Sequence, residues 1–161
     1  MMKAIANLSA GNLMVNGAIY NITNKIRTAR DGTRKTSEVI RSVPDNAPYD
    51  PQPFPQGLWN VTGVEWQEVN GKKMFDYYPY GPVKIRTSAW QRVKVWELDE
   101  DGDYLRETEQ QVKDFGYLLH YSVSSTTLGC IRLASPEDAV QIARVIEKLL
   151  AAGEEILLEV V

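Results

Sequence analysis

The stretch HYSVSSTTLGCIRL, residues 120–133, holds the only histidine of the chain, His120, and its only cysteine, Cys130. A thiol beside an imidazole is a nucleophile beside a base. A free thiol has a pKa of about 8.5 and is mostly protonated at neutral pH. An imidazole that accepts its proton leaves a thiolate–imidazolium pair, which can attack a carbonyl carbon and then return the proton to a leaving amine. Gly129, just before the cysteine, permits a tight backbone turn. The amide of Cys130, with or without that of Gly129, could donate to the oxyanion formed on attack. Arg132 follows the cysteine by two and shares its face of a strand. It could grip a carboxylate through two nitrogens or form a structural ion pair beneath the site. The competing reading is an inert core cysteine and an ordinary histidine, because free cysteine is among the most buried residue types.

Other chemistries fit less well. A zinc site needs three or four ligands, which one His and one Cys do not supply, so no metal is expected. Asp99, Asp101 and Asp103 in LDEDGDY alternate like calcium-loop ligands. Tyr104 stands where that loop requires glycine, and a hairpin turn is the expectation there. No organic cofactor is implied.

The elements that must position the pair read mostly as strands. Asn16-Gly17 and Asn70-Gly71 each lie between apolar runs, a strong short-range hairpin signal, and Asp101-Gly102 repeats it after RVKVWEL. Residues 43–57, VPDNAPYDPQPFPQG, carry five of the eight prolines and predict a long ordered loop, functional or merely connecting. One helix is clear in SPEDAVQIARVIEKLLAAGEE. Ser135 is its N-cap, Pro136 its first residue, and Gly153 its C-terminal cap. Ala139, Ile142, Ala143, Ile146, Leu149 and Leu150 form its apolar face. EILLEVV then predicts a last strand paired inside a sheet. FGYLLHYSV and GCIRLA predict two strands around the polar turn VSSTTL. A simple hairpin centred on Ser125 would set His120 directly opposite Cys130, with Cβ atoms about 4.5–5.5 Å apart. The expected fold is a mainly antiparallel β domain with one substantial C-terminal helix.

A length of 161 residues predicts one domain, residues 1–161. The net charge is −3 with the signs interspersed, which does not favour nucleic acid or an anionic membrane as partner. No stretch approaches the ~20 apolar residues of a membrane span. The first residues, MMKAIANLSAGNLMVNG, lack the apolar run of a secretory leader. The expectation is therefore a cytosolic chain, a chain whose leader has been removed, or export without a cleaved leader.

The residues His120 and Thr127-Leu128-Gly129-Cys130-Ile131-Arg132-Leu133 resemble the signature of the L,D-transpeptidase catalytic domain family of bacterial cell-wall enzymes. That signature is a histidine, a short gap, then Ser/Thr-x-Gly-Cys-hydrophobic, often followed by Arg. PFPQGLWNVTGV and YPYGPVKI also look like family segments. Two departures stand out: Leu128 replaces the second histidine common before the glycine, and the gap from His120 to Cys130 is short. The resemblance implies a β-sandwich-like domain with the helix and a last strand after the cysteine. It implies acyl transfer on peptidoglycan stem peptides, with Cys130 as nucleophile, His120 as base and Gly129 in the catalytic turn. Transfer of the acyl group to an amine would make the chain a transferase, and transfer to water a hydrolase. Candidates to orient His120 are Tyr121, Ser122 and Gly129, and candidates to contact substrate are Arg132, Thr127, Tyr121 and Ser122. It implies no cofactor, a periplasmic or cell-envelope location and, as we expect, a monomer. Alternatives are a non-catalytic wall-binding module on the same fold, motivated by Leu128 and the short loop, or a different cysteine hydrolase with a convergent pair.

Overall fold

The computed structural model describes residues 1–26, 48–69, 72–73 and 81–161. Its strands are β1 (Met2–Asn7), β2 (Asn12–Val15), β3 (Ala18–Thr23), β4 (Gly57–Trp66), β5 (Glu68–Val69), β6 (Lys72–Lys73), β7 (Val83–Thr87), β8 (Trp90–Leu98), β9 (Tyr104–Phe115), β10 (Leu118–His120), β11 (Ile131–Leu133) and β12 (Ile156–Val160), with helix α1 (Pro136–Ala151) before β12. Eight strands close into one hydrogen-bonded ring in the order β1-β12-β4-β7-β10-β11-β3-β2. The pairs β5–β6 and β8–β9 stand outside it as hairpins.

Local signals explain the turns. Asn16 (φ +48°) and Gly17 (φ +82°) are both left-handed, the geometry that joins β2 to β3 with Val15 facing Ala18. At the tip of β8–β9, the Asp99 carboxylate accepts from the amides of Asp101 and Asp103, each at 2.9 Å. The acidic triplet is thus a hairpin turn, in which the Asp99 side chain satisfies the backbone. The flanks of Asn70-Gly71 pair as expected, Glu68 with Lys73 and Val69 with Lys72, while the turn itself lies outside the described residues. So does 43–47 of the proline segment. The rest of that segment, from Pro48 to Gln56, runs without regular structure, with Tyr49, Asp50 and Phe54 buried.

Helix α1 follows its sequence signals closely. The Ser135 hydroxyl accepts from the Asp138 amide at 3.1 Å, Pro136 opens the first turn, and acids lie at the positive end of the dipole. At the other end Gly153 (φ +79°) and Glu154 donate their amides to the carbonyls of Leu150 and Leu149, a Schellman cap. Ala139, Ile142, Ala143 and Ile146 are buried, and Leu149 and Leu150 are half-buried against the same core. That core is supplied by the inward residues of the ring, among them Leu13, Ile22, Val83, Ile85, Leu119, Ile131, Leu133 and Leu158.

Two pairings run parallel. The final strand β12 lies between β1, parallel, and β4, antiparallel, so the last apolar run is paired on both edges. The second parallel pair corrects the sequence expectation. β10 and β11 do not form a hairpin about Ser125. They run in the same direction, with Leu119 beside Ile131 and His120 beside Arg132. The reason lies in the serine and threonine residues between them. The Ser122 hydroxyl donates to the Ser124 carbonyl (2.9 Å) and the Ser124 hydroxyl to the Thr126 carbonyl (3.1 Å). Side chains that bond the nearby backbone in this way offer it an alternative to a strand ladder. The chain therefore coils away after His120, bridges at Thr127 to Ile26, and re-enters the sheet beside β10.

The cap predicts a measurable cost. Ser135→Ala should lower the unfolding free energy by about 1 kcal/mol, read from urea denaturation. A change below a few tenths of a kcal/mol would show that α1 is held by its apolar face alone.

Candidate active site

The site begins with strand parity. Leu119 faces Ile131 across the parallel pair, so Leu118 lies level with Cys130 and His120 with Arg132. Alternate residues of a strand point to opposite faces. Leu119, Ile131 and Leu133 therefore go to the core, while Leu118, His120, Cys130 and Arg132 share the other face. His120 and Cys130 are diagonal neighbours rather than directly opposed. Diagonal positions lie within reach of long side chains, and the imidazole does hydrogen-bond the Cys130 side chain.

His120 Nδ1 lies 3.0 Å from the Tyr121 carbonyl oxygen. A carbonyl only accepts, so Nδ1 carries the proton of the neutral ring, and Nε2 is the nitrogen that can take a proton from sulfur. Burial disfavours the charged ring. The hydrogen bond and negative charge of Cys130 together with the Tyr121 carbonyl outweigh that penalty and the opposing charge of Lys84, which sits directly across in β7. The net effect raises the His120 pKa above its ordinary value. Whatever free energy the thiolate lends to the imidazolium, the imidazolium lends equally to the thiolate.

The sulfur has polar company. The Leu118 amide donates to Sγ at 3.4 Å, and Sγ lies 3.9 Å from the Gly116 carbonyl. Cys130 is only 4% exposed and His120 only 5%. An N–H aimed at sulfur favours the anion, whereas an apolar shell would favour the thiol. The Gly116 carbonyl pulls the other way, since a carbonyl can accept only from the protonated thiol.

The turn before Cys130 is held by its own side chains. Gly129 has φ +130°, a conformation strained for residues with a Cβ. Its amide donates to the Thr127 hydroxyl (3.3 Å), which in turn donates to the Cys130 carbonyl (2.7 Å). The Gly129 amide is thereby engaged inside the turn. Thr127, expected to touch substrate, spends its hydroxyl inside this turn. Ser122 is buried with its hydroxyl on Ser124. Arg132 forms a clamp. Its Nε donates to the Ser122 carbonyl at 2.8 Å and its guanidinium lies 5.1 Å from the Tyr121 ring centroid. Of the candidates named to orient His120, Tyr121 does so through its backbone.

Two contributors escaped the sequence reading. Asn24, the residue after β3, donates through Nδ2 to the carbonyls of Gly129 (2.9 Å) and Cys130 (3.0 Å). A single asparagine after a strand gives no sequence signal. Gly81 was noticed only as part of YPYGPVKI, of which 78–80 lie outside the described residues. It has φ +67°, and a Cβ there would stand 2.9 Å from the Tyr121 carbonyl oxygen, the acceptor that orients His120.

The YkuD family model, the L,D-transpeptidase catalytic domain, matches residues 5–151. Comparison of the chain with curated proteins and with solved structures returned no match. Among the described residues, no helix is long and apolar enough to cross a membrane.

Gly81→Ala should displace the Tyr121 carbonyl and mis-seat the imidazole, slowing iodoacetamide alkylation of Cys130 at pH 6 by about tenfold or more. Gly17→Ala is the control, because a Cβ at that left-handed position meets nothing within 4 Å. It should cost stability and leave alkylation unchanged. Equal alkylation rates in the two variants would contradict the role of Gly81.

Proposed function

The chain belongs to the L,D-transpeptidase catalytic domain family, and from that premise we propose that it is a cysteine acyltransferase acting on peptidoglycan stem peptides through a thioester on Cys130. The observation that carries the proposal is the hydrogen-bond order Tyr121 carbonyl to Nδ1, then ring, then Cys130 sulfur. It makes His120 a base toward the thiol and an acid toward the leaving group.

In the first half-reaction the Cys130 thiolate adds to the carbonyl carbon of the third stem residue. The oxyanion accepts a hydrogen bond from the Cys130 amide. The C–N bond to the terminal D-alanine then breaks, and the proton held on His120 Nε2 passes to the departing amine. In the second, neutral His120 takes a proton from an acceptor amine or a water. That acceptor attacks the thioester and expels the thiolate. An amine makes the reaction an L,D-transpeptidation and water makes it an L,D-carboxypeptidation. The terminal nitrogens of Arg132 are the groups that would meet a substrate carboxylate, since its Nε is on Ser122. This reading places the chain in the periplasm or cell envelope, where such substrates are found.

Cys130→Ala should abolish release of D-alanine from a tetrapeptide muropeptide while the fold persists. Incubation with a carbapenem should add one drug mass to the wild type and none to Cys130→Ala. D-alanine release that survives Cys130→Ala would overturn the proposal.

The pH dependence has a definite sign. The raised His120 pKa keeps Nε2 protonated above the ordinary value of about 6.5. Acyl transfer should therefore hold to a higher pH than an ordinary imidazole would allow and fall on the alkaline side as the ring loses that proton. Alkylation of Cys130 needs no acid and should not fall there. An alkaline loss of both reactions together would contradict this assignment.

A further inference from the structure

We infer that Asn24 is a positioning residue for oxyanion stabilisation, acting through the peptide bond between Gly129 and Cys130. The inference rests on the acylation reading above and adds a residue outside the cysteine motif to it.

The peptide group is planar and almost always trans, so its C=O and N–H point in opposite directions. A hydrogen bond that fixes the Gly129 carbonyl also fixes where the Cys130 N–H points. Asn24 Nδ2 supplies that bond at 2.9 Å and uses its second hydrogen on the Cys130 carbonyl at 3.0 Å. The Cys130 carbonyl also accepts from the Thr127 hydroxyl at 2.7 Å. The peptide planes on both sides of the Cys130 Cα are therefore pinned. The Cys130 amide is aimed away from Asn24, and it is the donor that must meet the charge developing on the substrate oxygen.

Asn24 is itself anchored. Its Oδ1 accepts from the Phe54 amide at 2.9 Å. The buried Phe54 ring packs edge-on against Tyr117 at 5.4 Å between centroids. Gln91 Nε2 joins the carbonyl of Pro53 (2.8 Å) to the Tyr117 hydroxyl (2.7 Å). The proline segment thus braces the asparagine, and the asparagine braces the nucleophile turn.

The bonds from Asn24 to this turn end on backbone carbonyls. The sulfur is met separately, by His120 and by the Leu118 amide. Thiolate formation and oxyanion stabilisation consequently depend on different residues, and two reactions of the same cysteine separate them. Iodoacetamide alkylates the thiolate by displacement of iodide and forms no oxyanion. p-Nitrophenyl acetate acylates it through a tetrahedral oxyanion, in which the S–C bond forms, the C–O bond breaks and nitrophenolate leaves.

Asn24→Asp keeps the shape and the acceptor for Phe54 and, while ionised, cannot donate to either carbonyl. It should slow the nitrophenolate burst by about 10- to 100-fold. Alkylation, compared at a pH where the thiol of both proteins is ionised, should keep its rate to within about twofold. Asn24→Ser, which retains a shorter donor, should fall between, and it supplies the comparison should Asn24→Asp fail to fold. An equal slowing of both reactions, or no slowing of either, would overturn the inference. A wild type acylated by the ester but inert toward muropeptides would overturn the peptidoglycan assignment and leave the Asn24 comparison decisive. A wild type with no ester burst would overturn both.

Discussion

One hydrogen bond governs the chemistry of this protein, that between His120 Nδ1 and the Tyr121 carbonyl. An imidazole can serve a thiol only with a bare nitrogen facing it, and which nitrogen is bare depends on where the other keeps its proton. Here the acceptor is the backbone of the next residue. No carboxylate is needed, and a backbone carbonyl does not titrate. The price is geometric: the carbonyl must be held still, and Gly81 and Arg132 both bear on it. Gly81 leaves room for it, and Arg132 ties down the Tyr121–Ser122 segment from the adjacent strand.

The rest of the sheet serves to bring that ring to the sulfur. β10 and β11 are each three residues long, and neither would be stable alone. They persist because β7 and β3 flank them and because Leu119, Ile131 and Leu133 are buried beneath them in the core shared with α1. Each apolar residue driven inward obliges its neighbour to point outward. The burial of Leu119 and Ile131 thereby places His120 and Cys130 on the same outer face. Hydrophobic packing selects the register, and the register brings the imidazole and the thiol together.

Much of this was legible in the chain itself, and the failures are instructive. Asn16-Gly17, the Ser135 and Gly153 caps and the apolar face of α1 are local signals, and the structure follows them. The motif around Cys130 led to the family that its model match assigns. The pairing of β10 with β11 was misread, because a polar turn between two short strands resembles a hairpin. The competition from the Ser122 and Ser124 hydroxyls for the nearby backbone emerges only in three dimensions. An antiparallel hairpin and the observed parallel pair both put residues 120 and 130 on one face, so the expected proximity of the two side chains survived the topological error. Asn24 and Gly81 were illegible for a different reason. Each acts across a long sequence separation on a backbone carbonyl, and a carbonyl carries no side-chain signature.

Because the chain has a single histidine, selective ¹⁵N labelling of that residue type gives one imidazole to follow by NMR. The account predicts that Nδ1 stays protonated throughout the titration and that Nε2 loses its proton above the ordinary histidine value. In Cys130→Ala that step should move downward, because the burial and the Lys84 charge that oppose protonation remain. A neutral ring with its proton on Nε2, or a titration indifferent to Cys130→Ala, would contradict it.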